Sequence, residues 1–262
     1  MRKTTYHCHS TWSDGNNTVR DMVLEAIDLG FTDIGFSDHL VLHPTIAEID
    51  WSIRDAEELQ HYVEDVYTEQ IRNRDQINVK LGLEIDFFPE NSRISELYEI
   101  LDIFNFEFLI GSVHMLDEFP IDYMYTDWKK LSQSEINAYF IKYWQNIKLL
   151  AESDYFDCVG HLDIPKIFNA KADIDLTKYI EDAVQAIHTS GMAVEINTAG
   201  LDKPCKELYP SADILKLVAE ANIPVIINDD AHDLEQLGRH YGEAEELLKA
   251  SGAKQIFELP IG

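Results

Sequence analysis

The segment His7-Cys8-His9, followed closely by Asp14-Gly15, places two imidazoles and a carboxylate near one another at the start of the chain. On an extended strand, residues two apart share a face. His7 and His9 can therefore reach one metal ion while Cys8 points to the opposite side. A lone His-x-His is as readily explained by packing or solvation. The pattern gains force because ligand-type residues recur down the chain, at Asp38-His39, Glu84, His114, His161 and Asp230-Ala231-His232. Each follows a short apolar run that reads as a buried strand.

The set His7, His9, Asp14, His39, Glu84, His114, His161, Asp230 and His232 is too large for one ion, because a catalytic zinc-like site takes three or four protein ligands and keeps a position open. It suffices for two or three divalent ions if a carboxylate bridges. Glu84, a strand-end glutamate with apolar neighbours, is the natural bridge. Mixed nitrogen and oxygen donors suit zinc, manganese or iron with no thiolate. Ions about 3.5–4 Å apart clamp a phosphoryl group and lower the pKa of a bound water toward ~7. The resulting hydroxide can attack phosphorus in line while the ions take up charge on the non-bridging oxygens. No Gly-x-Ser-x-Gly segment or catalytic-type cysteine setting offers another nucleophile.

Other residues keep two readings open at this point. Asp-Gly is also an ordinary turn, so Asp14 depends on the histidines before it. Asp38 is either a ligand or a partner that orients a histidine. His43, in the loop after the second strand, faces either the pocket or solvent. His61, His188 and His240 fall on helical stretches and read as surface or packing residues. Trp51, Trp128, Trp144 and Tyr139 read as packing aromatics, and Cys8 as a buried, inert thiol.

These residues must be positioned by strands and helices in alternation. Strand-like runs cover residues 3–9, 33–37, 79–84, 106–113, 157–161, 193–197 and 224–228, each rich in Val, Ile, Phe, Tyr or Leu. Helical stretches are read over 18–29, 53–75, 132–153, 176–189, 211–221 and 234–250, the first capped by Thr18 and closed by Gly30. Alternating units argue for a mostly parallel sheet with helices on its faces. Seven units without a Gly-rich phosphate loop after the first strand favour an α/β barrel over a doubly wound sheet. In such barrels functional residues gather at the C-terminal ends of the strands. Six of the seven strands deliver a member of the set to that rim.

The composition sets outer limits. The chain has 262 residues, 45% of them hydrophobic, enough for one large core in a single domain spanning 1–262. Its formal net charge of -27 repels phosphate backbones and anionic membranes, so neither nucleic acid nor a membrane surface is an expected partner. A small anionic substrate stays compatible, because clustered divalent cations invert the local field. The three cysteines, Cys8, Cys158 and Cys205, form no disulfide framework, which fits a reducing cytoplasm. The N-terminal residues lead directly into His-x-His with no apolar leader, and no stretch reaches membrane-spanning length. The oligomeric state is not legible.

Taken together, Tyr6-His7-Cys8-His9-Ser10 with Ser13-Asp14-Gly15, Phe36-Ser37-Asp38-His39, Gly82-Leu83-Glu84, Gly111-Ser112-Val113-His114, Gly160-His161 and Asp229-Asp230-Ala231-His232 resemble the motifs of the polymerase-and-histidinol-phosphatase (PHP) family. The resemblance runs in order over nearly the whole chain. Within the family, Glu84-Ile85-Asp86-Phe87, the segment from Glu195 to Leu201 and Tyr209-Pro210-Ser211 look most like the stand-alone L-histidinol-phosphate phosphatases of histidine biosynthesis. The resemblance implies a distorted (β/α)7 barrel with a trinuclear centre. His7, His9, Glu84 and Asp230 would hold one ion, Glu84, His114 and His161 a second, and Asp14, His39 and His232 a third. Glu84, Asp230 and His232 would be the catalytic members, with Asp230 also handling a proton. The substrate would be a small phosphorylated molecule, L-histidinol phosphate. Members of the family often carry arginine after the Gly-Leu of the segment that ends here at Leu201, whereas this chain has Asp202 and then Lys203. Lys203, Lys206, Lys166 and His43 are accordingly the candidates for gripping the substrate.

Overall fold

All seven expected strands are present in a computed structural model of the chain, which describes residues 2–89 and 93–259. In order, the elements are β1 (Thr4–Thr5), α1 (Val19–Asp28), β2 (Asp33–Phe36), β3 (His39–Leu40), α2 (Ala56–Asn73), β4 (Asn78–Asp86), α3 (Ile94–Ile103), β5 (Phe108–Ser112), β6 (Met115–Leu116), β7 (Phe119–Pro120), α4 (Tyr125–Lys129), α5 (Gln133–Glu152), β8 (Cys158–Val159), α6 (Thr177–Ser190), β9 (Ala193–Asn197), α7 (Ala212–Glu220), β10 (Pro224–Asn228), α8 (Tyr241–Ser251) and β11 (Lys254–Gln255). The main sheet runs β1-β2-β4-β5-β8-β9-β10-β11, with β3 also paired to β4, and its ladders are parallel. It curls into a single-domain, distorted barrel. β6 and β7 form a separate antiparallel hairpin.

The distortion has a local cause. Regular pairing of the first strand stops at Thr5, but the chain continues extended along the barrel wall as Ser37 N–H donates to the Cys8 carbonyl at 3.0 Å. On its other side, His9 N–H reaches the Ala231 carbonyl at 2.9 Å, and Cys8 and Ala231 form a parallel bridge. That bridge closes the rim where the candidate ligands lie. Lower down, β11 pairs with β10 instead, so closure by backbone ladder is incomplete. The lower interior is filled by Tyr6, Phe108, Ile110, Cys158, Ala193, Ile226 and Leu259, all buried. The Phe108 ring lies where Gly82 has no side chain: a Cβ there would stand 2.3 Å from it.

The helices form where their caps and apolar faces require. Thr18 and Ser132 each complete a reciprocal capping box, with Asp21 and Glu135, at the starts of α1 and α5. The helices α3 and α4 and the short strands β3, β6, β7 and β11 go beyond the sequence reading. One expected helix is shorter than read. Residues 234–250 do not run as one helix, because a 3-10 turn over Leu234–Gln236 gives way to left-handed backbone at Gly238 and His240 before α8 begins. The break turns Arg239 back toward the strand ends, where its Nε and Nη2 donate to the Asp229 carbonyl at 3.1 and 2.9 Å.

Filling the Gly82 space tests this packing. Gly82→Ala is expected to lose about 1–3 kcal/mol by overpacking, measured by chemical denaturation. Phe108→Leu in the same chain should recover part of the loss.

Candidate metal centre

Six strands of the barrel wall send candidate ligands to the closed rim. His7 and His9 come from the extension of β1, Asp14 from the loop beyond it, His39 from β3, and Glu84 from the end of β4. His114 and His161 stand just past β5 and β8, and Asp230 and His232 just past β10. The structure brings all nine of these side chains together, in overlapping groups of three or four with ligand atoms within 4.8 Å of one another. Cys8 faces away from the cluster, as expected, with its thiol donating to the Gly35 carbonyl at 3.1 Å.

Glu84 is the hub. Its Oε2 lies 3.0 Å from His7 Nε2, 3.1 Å from His39 Nδ1 and 3.5 Å from His9 Nε2. Its Oε1 lies 2.9 Å from His161 Nε2 and 3.6 Å from His114 Nε2. Ser112 Oγ donates to the same Oε1 at 2.5 Å. A Cβ at Gly160 would stand 2.2 Å from that Ser112 oxygen, so the glycine before His161 leaves room for the contact. On the other side, Asp14 Oδ1 lies 3.2 Å from His232 Nε2 and 3.6 Å from His39 Nε2. Asp230 Oδ1 lies 3.3 Å from His9 Nε2 and 3.6 Å from His7 Nε2.

An outer layer aims these groups. Glu195, fully buried on β9, accepts from His7 Nδ1 at 2.8 Å, from His161 N–H at 2.5 Å and from Asn228 Nδ2 at 2.9 Å. Asp86 pairs with His114 Nδ1 at 3.1 Å, and the Asp230 carbonyl with His232 Nδ1 at 3.1 Å. In each case a bonded Nδ1 leaves Nε2 turned to the centre, the usual way an outer partner fixes the tautomer of a ligand histidine. Asn197 Nδ2 holds Asp230 Oδ2 at 3.1 Å. Asp230 has a φ of 50°, and Arg239 Nη2 secures this left-handed backbone by donating to its carbonyl at 3.0 Å. Asp38 takes neither role considered for it. It accepts from the backbone and hydroxyls of Ser10 and Ser13, which shapes the loop that presents Asp14.

The electrostatics follow from burial and close opposite charge. Burial alone would raise the Glu84 pKa, but His7, His39, His114 and His161 hold it well below the carboxylate range. Burial would lower His7, His114 and His232, yet the neighbouring carboxylates win: His7 rises well above its ordinary value, His114 to about 10 and His232 to about 9. His9 moves the other way, to about 3, through burial and then the charges of His232 and His39. Both of its ring nitrogens are buried without a hydrogen bond, as is His161 Nδ1. Buried polar atoms rarely remain unsatisfied. A neutral imidazole between two carboxylates is a ready metal ligand, so this donor set fits divalent cations.

Above the centre lies a cavity of about 580 Å³. Of the four side chains expected to grip the substrate, Lys203 lines it and the other three do not. His43 is spent on structure: its Nδ1 accepts from Thr45 and Ile46 N–H, and its Nε2 meets the Asp117 carbonyl at 2.9 Å. Lys166 Nζ is bound by the Leu208 carbonyl at 2.8 Å and by Asp163 and Glu207 at 3.0 and 3.2 Å. Lys206 is exposed, outside the wall. Asp202 points to Arg239 and His240, at 3.3 and 3.0 Å. Sequence reasoning also missed groups that the folded rim supplies. Trp51, read as packing, stands in the cavity wall edge-on to His39, and Tyr209, Gln236, Arg239, Asp50 and Asp122 line it too. Glu195 could have been found as a polar residue inside an apolar strand run.

The comparisons with known proteins agree with this architecture. The PHP domain family matches residues 5–199. The chain belongs to the PHP domain family. A PHP relative from Deinococcus radiodurans, described as a probable histidinol-phosphatase, is 29% identical over 246 residues, covering 91% of this chain and 89% of its own. The histidinol-phosphatase of Bacillus subtilis is 26% identical, with 92% and 97% covered. The same PHP fold recurs in a crystal structure of the Lactococcus lactis histidinol phosphate phosphatase complexed with zinc, L-histidinol and phosphate, at a TM-score of 0.80 and 22% identity, covering 98% of this chain and 97% of that one.

Two outcomes are expected from this geometry. Glu195→Gln should weaken metal affinity by roughly 10–100-fold, as loss of such outer partners does, measured by titration of the metal-free protein. Ligation requires neutral imidazole, while His114 and His232 hold protons above neutrality in the metal-free protein, with pKa values of about 10 and about 9. Zinc loading should therefore release protons into a weakly buffered solution, and apparent affinity should fall as pH falls.

Proposed function

We propose that this protein is a metal-dependent phosphomonoesterase that hydrolyses L-histidinol phosphate to L-histidinol and phosphate. The observation that carries the reading is the convergence of five imidazoles on the buried Glu84 carboxylate at the floor of a substrate-sized cavity, in a chain of the PHP domain family. The substrate is supported by relatives described as histidinol-phosphatases that match nearly end to end, and by the Lactococcus lactis enzyme, whose crystal holds zinc, L-histidinol and phosphate.

In this reading His7, His9, Glu84 and Asp230 hold one divalent ion, Glu84, His114 and His161 a second, and Asp14, His39 and His232 a third. Zinc is the first candidate, with manganese and iron also suited to the donors. When bound, the ions lower the pKa of water and draw charge from the phosphoryl oxygens. The chain's own residues do the positioning. Glu195, Asp86 and the Asp230 carbonyl hold His7, His114 and His232 with Nε2 inward. Asp230 lines the cavity and is 16% exposed, and in this reading it also exchanges the proton. Lys203, which has no ion-pair partner among the described residues, supplies a positive charge for the phosphate. Overall, the oxygen of one water becomes bonded to phosphorus as the P–O bond to the alcohol breaks, and a proton given up by that water goes to the departing oxygen, so L-histidinol leaves as the neutral alcohol and phosphate remains. The three cysteines are free, and no helix among the described residues is long and apolar enough to cross a membrane; the reading places the reaction in the cytoplasm.

Glu84→Ala and Asp230→Ala should each reduce turnover of L-histidinol phosphate by at least roughly a hundredfold, because each removes charge from the reacting centre. Chelation should abolish turnover, and added zinc or manganese should restore it. Elemental analysis should find two to three ions per chain. Turnover of L-histidinol phosphate no better than that of p-nitrophenyl phosphate would contradict the substrate, and full activity after chelation would contradict the reaction class.

A further inference from the structure

The cavity has two unlike sides. Lys203 and Arg239 enter from the loops that follow β9 and β10. Asp50 enters from the loop that follows β3, and Asp122 from the segment just after the β6–β7 hairpin that itself follows β5; β3 and β5 flank β4 across the barrel. Asp122 follows the buried Ile121, whose N–H donates to the His114 carbonyl at 2.8 Å, so the loop bearing it is fastened directly to the centre. Its carboxylate lies within electrostatic reach of His114 and of Tyr209, on the facing wall. Among the described residues neither Asp50 nor Asp122 has an ion-pair partner. Tyr123, beside Asp122, and Trp51, beside Asp50, add aromatic surface to the same side.

Unpaired carboxylates in the wall of a phosphoester cavity work against binding if the whole substrate is an anion. They work for it if the part remote from phosphorus is a cation. The aromatic faces of Trp51 and Tyr123 suit a cation as well. Resting on the phosphomonoesterase reading, we propose that Asp122, with Asp50 at the same side of the cavity, selects phosphate monoesters of amino alcohols by pairing with the ammonium group of the departing alcohol. The phosphate meets the metal floor and Lys203, and the charged alcohol end lies toward Asp122. The polarity of the cavity thus sets the direction in which the substrate enters.

The test is steady-state kinetics on the metal-loaded enzyme with L-histidinol phosphate and with 3-(imidazol-4-yl)propyl phosphate, which has the same carbon chain and lacks only the amine. Asp122→Asn should raise KM for L-histidinol phosphate about tenfold or more, the usual scale for losing a charge-assisted contact. The increase should be at least several times smaller for the amine-less ester, and kcat should move by less than about twofold. Asp122→Lys should raise KM for the amine-bearing ester further still. Asp122→Ser should reproduce the ester-dependent difference, which separates loss of charge from a fault of the asparagine. Equal effects on the two esters, or an effect on kcat in place of KM, overturn the assignment of Asp122 and leave the phosphatase reading intact. A wild-type enzyme that does not hydrolyse L-histidinol phosphate removes the substrate reading, and this inference with it.

Discussion

A carboxylate buried at the end of a strand needs opposite charge close by, and Glu84 meets that need with imidazoles from four other strands. It is 1% exposed and has five histidines within 3.6 Å. Removing such a charge from water costs several kcal/mol unless it is paired and hydrogen-bonded. The barrel supplies the partners because parallel strands deliver their C-terminal ends to one rim. The same carboxylate that would be costly alone becomes the point around which the centre is organised. Divalent ions are the natural completion of that arrangement, since His9 offers buried nitrogens that no protein group satisfies.

The centre and the barrel closure depend on each other. The backbone bridge between Cys8 and Ala231 joins the first and last parts of the wall at the rim. It also fixes the strand that bears His7 and His9 against the turn that bears Asp230 and His232. Arg239 fastens that turn by donating to two successive carbonyls. Below, β11 and Leu259 fill the space where the ladder does not close. The distortion of the barrel is therefore concentrated away from the site, and the rim remains well defined.

The outer partners show how few groups serve both needs. Glu195 holds a ring nitrogen of His7, the backbone of His161 and the amides of Asn197 and Asn228. Through Asn197 it is linked to Asp230. A single buried glutamate on β9 thereby connects three of the strands that carry the centre. β9 contributes no member of the nine-residue cluster itself, yet it aligns those of its neighbours.

The amino-acid sequence by itself determined the strand-helix alternation, the location of the seven wall strands and the nine residues that converge. Each of these is local: an apolar run with a polar end needs no partner to be recognised, and strand polarity carries the ends to one rim. Tertiary structure alone decided which remaining polar groups face the cavity. Lys166 and His43 looked as available as Lys203, but the first is held by Asp163 and Glu207 and the second by backbone groups. The roles of Asp38 and Arg239, and the placement of Trp51, were likewise set by loops whose course depends on contacts distant in sequence. Hydrophobic periodicity fixes where a strand ends; the direction taken by the side chains beyond it is fixed only when the rest of the barrel closes around them.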